Sequence, residues 1–170
     1  MAVPAAILVQ LRTPAQTQTL QSYLLQAERE TRTDNARSLS WVVSAISSAA
    51  KGIAARLRTA GLDGTLGAVG QVNVQGEEQQ TLDVIADELL IAELESREGV
   101  VVLGSEENDE LMVIDGAPAS GSRYCVLFDP LDGSANLAVG GAVGTIFSIY
   151  EVVPGAEHEL LPGRRQVAAG

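Results

Sequence analysis

The chain is short of almost every residue type that marks a secreted, thiol-dependent or nucleic-acid-binding protein. Its one cysteine, Cys125, cannot form a disulfide within the chain, which points to a reducing compartment. Its one histidine, His158, stands in a polar, acidic stretch far along the chain, which argues against a Cys–His catalytic pair. Lys51 is the only lysine, and 22 acids against 11 basic residues leave a net charge of −11. That makes the chain a poor candidate for nucleic-acid binding, which needs basic side chains to displace counterions. No apolar run reaches the ~20 residues of a membrane span. Ala2–Val9 is apolar but short and lacks a basic flank, so it does not read as a signal peptide. These absences describe a soluble, cytoplasmic protein without nucleic-acid or membrane partners. An organelle leader stays open, since Met1–Ala27 holds no acid and one base.

What is present is enough for one domain. A chain of 170 residues hides about 70% of its unfolded surface on folding, and a hydrophobic share of 46% is globular. Leu20, Tyr23, Leu24 and Ala27 recur at helical spacing and predict a first helix, fading over Glu28–Arg37. Leu39, Val42, Val43, Ile46, Ala49, Ala50, Ile53, Ala54 and Leu57 predict a second. Asp34, Asn35 or Ser38 would cap it and Gly61 would end it. Gly61–Gly76 reads from composition as a flexible connector; it lacks the lysine of a phosphate-binding loop. A third helix is expected over Thr81–Ser96, with Leu82, Ile85, Leu89, Ala92 and Glu93 on successive turns. Asp83 falls in its first turn, where the helix dipole alone would account for a carboxylate. Strands are expected at Val100–Leu103, Leu111–Ile114, Arg123–Asp129 and Gly144–Tyr150, with a turn at Gly116–Ser122 and a loop at Pro154–Gly163. Helices first, then mostly strands, predict an α+β fold with helices layered on a mixed sheet.

The most informative run is Asp129-Pro130-Leu131-Asp132-Gly133-Ser134. It follows the apolar stretch Tyr124–Phe128, so two carboxylates stand where a core strand is expected to stop. Pro130 lacks a backbone donor and should end the ladder, while Gly133 permits a sharp turn. Carboxylates at such a place are costly unless paired or bound to a cation. A second apolar strand, Val100–Leu103, runs into Glu106-Glu107. Alone, that pair reads as a solvated turn. If the two strands are neighbours, however, their acids converge where ligands gather in open α/β sheets. Oxygen donors without His or Cys suit Mg²⁺ or Mn²⁺ and not zinc, and a pair of such ions about 3.5–4 Å apart would bridge a phosphoryl oxygen.

The same residues carry a family resemblance. Asp129–Ser134 is the signature of the lithium-sensitive, metal-dependent sugar-phosphatase superfamily. With Ala135-Asn136, Val143–Tyr150, Asn73–Gly76, Leu82–Ile85, Ser105–Glu107 and Pro162–Gly170, the chain resembles class I fructose-1,6-bisphosphatase. The resemblance implies the N-terminal half of that fold over residues 1–170, with the C-terminal domain missing. By resemblance, Glu106, Asp129, the Leu131 carbonyl and Asp132 are metal ligands for two or more ions, Mg²⁺ or Mn²⁺. Asp83 lies near the attacking water, Glu107 supports the ligands, and Glu77 belongs to a loop that closes over the site. Asp132, Gly133, Ser134 and Ala135 hold the substrate's 1-phosphate. The family has Ser where Ala135 stands, which removes one hydroxyl. The expected activity is hydrolysis of fructose 1,6-bisphosphate to fructose 6-phosphate, in gluconeogenesis or the Calvin cycle, by a homotetramer. The alternatives are a sedoheptulose-1,7-bisphosphatase or dual-specificity enzyme, an inositol-monophosphatase-type enzyme, and an inactive metal-binding fragment.

Overall fold

A computed structural model describes residues 18–31, 34–63, 68–72, 78–114, 123–152 and 166–170. The chain opens with helices α1 (Leu20–Thr31) and α2 (Asp34–Asp63). α2 starts at Asp34, so Asn35 and Ser38 lie inside it, and it runs past Gly61 to Asp63. Its buried face is Val42, Ala45, Ile46, Ala49, Ile53 and Ala60, spaced in steps of one, three, four and seven residues. Ala54, expected in that stripe, is exposed.

The glycine-rich stretch is not a plain connector. Within it, strand β1 (Ala68–Val72) pairs antiparallel with β2 (Glu78–Gln80). Strand pairing across a Gly-rich segment is invisible to composition, because the ladder is made by backbone groups alone. Glu77 and Asn73–Gly76 lie outside the described residues, as do Gly116–Ser122, Pro154–Gly163 and His158.

Helix α3 (Thr81–Glu95) buries Leu82, Asp83, Ala86, Asp87, Leu90 and Leu94. The face therefore differs from the expected line. Ile85 and Leu89 are half-buried, Ala92 is exposed, and two acids join the buried side. The cause is double packing: α3 contacts α2 on one side and strands β3 and β5 on the other. Glu93, placed in the stripe by spacing, instead pairs with Arg97 at 2.6 Å and accepts from the Ser48 hydroxyl of α2.

Five strands form the mixed sheet: β3 (Val100–Ser105), β4 (Met112–Val113), β5 (Tyr124–Asp132), β6 (Gly144–Glu151) and β7 (Gln166–Ala169). Their spatial order is β4-β3-β5-β6-β7, with β3 and β5 parallel and the other pairs antiparallel. β5 is central and buried on both faces. Tyr124, Val126 and Phe128 join α2 and α3 in the main core, while Cys125 and Leu127 pack with Val101, Val102, Tyr150 and Val152. That two-sided burial explains the uninterrupted apolar run.

Pro130 does not end β5. The strand continues to Asp132, and the register with β6 shifts between Asp129↔Ile146 and Asp132↔Gly144, so one extra residue sits on β5. Proline is accommodated at such a bulge. Its carbonyl accepts from the Thr145 hydroxyl of β6 at 3.0 Å, which keeps the bulged segment tied to the sheet. On the other flank, β3 pairs only as far as Ser105↔Phe128. β7 was not expected as a strand; Gln166–Ala169 has no alternating pattern and is extended by pairing with β6.

Candidate active site

The parallel pairing of β3 and β5 sets the site. Beyond the last strand pair, the Glu106 amide still donates to the Phe128 carbonyl at 2.9 Å. One more rung of the ladder thus seats Glu106 beside Asp129. Both line one groove of about 820 Å³, which also takes in Gly104, Leu127, Ile146 and Gly170. At Gly104 the neighbours pack close: a Cβ there would lie 2.7 Å from Leu127 Cδ2 and 2.8 Å from Leu111 Cδ2, so those leucine side chains would have to shift. Asp129 is shaped by its own turn, its Oδ1 accepting from the Leu131 amide at 3.0 Å. Leu131 is itself buried, 4% exposed, which anchors the turn in the core.

The other expected site residues among those described do not line this groove. Asp132 is exposed and does not line the groove. Gly133 adopts the left-handed conformation, φ 76°, and opens a short 3₁₀ segment, Ser134–Val139. That conformation favours glycine, so the sharp turn read from sequence is present. Ala135 is exposed on this segment. Asp83, 3% exposed in the first turn of α3, accepts from the Ser134 hydroxyl at 3.2 Å. Its position answers to more than the helix dipole, since it bonds the turn that follows Asp132. Glu107 is half-buried, and its amide donates to the Ser105 hydroxyl at 3.2 Å.

Among the described residues, no group of three or more His, Cys, Asp and Glu side chains converges on one point. Glu106 and Asp129 are what the groove offers. A carboxylate pair fits Mg²⁺, which keeps several waters and is held by one or two carboxylates together with substrate phosphates. The absence of nitrogen and sulfur donors from the pair fits a hard cation and not zinc.

Sequence reasoning passed over Asp87. It is 9% exposed and accepts from the Ser105 hydroxyl at 2.5 Å and from the Asn108 side-chain amide at 3.0 Å. The signal was available: Asp87 stands four residues after Asp83, an acid repeated on the side of α3 that also carries Leu82, Ala86 and Leu90.

Residues 18–170 match the family model of the fructose-1,6-bisphosphatase N-terminal domain. The chain belongs to the fructose-1,6-bisphosphatase family. It is 43% identical, over 79% of its length, to a class 1 fructose-1,6-bisphosphatase from Saccharophagus degradans, and it spans 42% of that relative. It is also similar to the crystal structure of Leishmania major fructose-1,6-bisphosphatase in holo form, with a TM-score of 0.71 and 31% identity over 81% of this chain and 40% of that one. The apo form gives a TM-score of 0.61 at 27% identity, covering 81% of this chain and 37% of that one. The layered helices and mixed sheet are thus those of the fructose-1,6-bisphosphatase fold, and the chain spans under half the length of these relatives. Among the described residues, no helix is long and apolar enough to cross a membrane.

Proposed function

We propose that this chain is the N-terminal domain of a metal-dependent phosphatase that removes the 1-phosphate of fructose 1,6-bisphosphate, giving fructose 6-phosphate and phosphate. The observation that carries the reading is the groove shared by Glu106, just past the end of β3, and Asp129, on the stretch of the parallel neighbour β5 that runs on beyond it, in a chain that belongs to this family. Such a protein serves carbohydrate metabolism, takes a sugar bisphosphate as substrate and assembles with its own kind.

Glu106, Asp129, the Leu131 carbonyl and Asp132 would hold Mg²⁺, with Mn²⁺ as the alternative. Cations bound there supply positive charge against the charge spread over the transferring phosphoryl group. The protein's own groups do the rest. Asp83 is buried at the N-terminal turn of α3 and is tied to Ser134, so it is placed to orient a water or accept its proton. Glu107 supports the Glu106 turn, and Glu77 is assigned to closure of the site. The Asp132–Ala135 segment, turned by Gly133, offers the Ser134 hydroxyl and backbone amides to the 1-phosphate.

The test is Asp129→Asn in a chain that carries the full length of the family fold. Asn keeps an oxygen for the Leu131 amide, so the turn and the fold should survive while the negative charge is lost. Phosphate release from fructose 1,6-bisphosphate is expected to require Mg²⁺ and to fall by about two orders of magnitude or more, comparable to losing one stabilising group at a developing charge. Undiminished turnover would reject the assignment.

A further inference from the structure

α3 carries two buried acids one turn apart, and each reaches a different strand end. Asp83 accepts from Ser134, in the turn after β5. Asp87 accepts from Ser105 and Asn108, which bracket Glu106 and Glu107 in the turn after β3. The Ser105 hydroxyl therefore has two tasks, donating to Asp87 at 2.5 Å and accepting from the Glu107 amide at 3.2 Å. The Asn108 backbone N–H also donates to the Ser105 carbonyl, at 3.3 Å, closing the turn. The helix itself is locked in rotation by Leu82, Ala86 and Leu90, 3%, 1% and 0% exposed.

We propose that Asp87 is a positioning residue: it fixes the Ser105–Asn108 turn to α3, and so sets where Glu106 stands relative to Asp129. The inference rests on the metal reading above and adds a residue to it. Two of the turn's anchors lead to different elements. The Glu106 amide is held by β5 through Phe128, and the Glu107 amide is held by α3 through Ser105 and Asp87. Remove the second anchor and the turn can swing about the first, although the core of α3 is intact. Groups that orient ligands in this way, without touching the ion, typically change metal affinity by about 10–100-fold when removed.

The experiment is Mn²⁺ titration by calorimetry on this chain, alongside thermal unfolding and amide hydrogen exchange. Asp87→Ala is expected to weaken Mn²⁺ binding by about 10–100-fold and to speed exchange of the Glu107 amide, with β6 amides unchanged. Asp87→Asn should restore binding close to wild type, because its oxygen accepts from Ser105 and a flipped Asn108 offers its carbonyl to the new amide. A purely structural residue would lower the unfolding temperature and leave the affinity of the folded protein alone. A folded Asp87→Ala with wild-type affinity therefore overturns the proposal. Should that variant not fold, Asn108→Ala decides, since Asn108 is exposed and its loss spares the core. Weakened binding then supports the anchor, and unchanged binding overturns it. Wild-type protein that takes up no Mn²⁺ contradicts the metal reading itself, and this inference falls with it.

Discussion

Cys125 lies near the start of β5, fully buried between Val102 and Tyr150 on the neighbouring strands. Burial pushes its thiol up to about 12, because a thiolate there would give up water without gaining a partner. The thiol is thus a small core hydrophobe, as its setting in an apolar run suggested. The sign of the pH effect follows. An unfolded chain releases this proton near pH ~8.5, whereas the fold retains it until about 12. In that window the unfolded state binds fewer protons, so stability is complete below it and declines as pH rises, by up to about 1.4 kcal/mol per unit. Urea midpoints measured between pH 8 and 10.5 should fall more steeply for wild type than for Cys125→Ala. Equal slopes would show that the thiol ionises in the fold. At the same scale, the carboxylates were legible as residue types but not as partners. Asp129 and Asp132 announce themselves beside a proline, whereas the bonds Asp83–Ser134 and Asp87–Ser105 join residues 51 and 18 positions apart, and no local pattern encodes such distances.

Helices and strands were read where burial leaves a clear period, and misread where a neighbour decides. α2 is long, and Val42, Ile46, Ala49 and Ile53 of its expected stripe are buried, whereas Ala45 and Ala60 were missed and Ala54 is exposed. α3 packs on two sides, and its buried face takes in Asp83, read as a partner of the dipole, and Asp87, which sequence reasoning passed over. The corrected face can be checked. Leu90→Ala, at a site with no exposure, is expected to cost about 2–5 kcal/mol. Ala92→Ser, on the exposed side, should change stability by no more than about 0.5 kcal/mol. Comparable losses at both positions by chemical denaturation would mean the helix is rotated from the orientation described. β5 shows the other kind of error. Pro130 lacks a donor, but β3 has stopped pairing by then and the bulge opposite β6 absorbs the missing bond. β1 and β7 had no side-chain signature at all; each is a strand because another strand lies beside it.

At the scale of the molecule, the design is a sheet in which β3 stops beside Phe128 while its parallel neighbour β5 runs on to Asp132, and α3 is tied by Asp87 to the end of β3 and by Asp83 to the turn after β5. The family is shared with proteins about twice as long, so the full catalytic reaction is proposed for the complete family fold, while the groove proposed to hold the metal can be tested on this chain directly. The most direct measurement is Mn²⁺ titration followed by loss of amide NMR signals, since a paramagnetic ion broadens only what lies near it. The account predicts that signals of Glu106–Glu107 and of Asp129–Asp132 disappear together, at the same substoichiometric Mn²⁺, while those of α1 persist. Broadening confined to one of the two turns, or spread over acidic side chains at random, would contradict it.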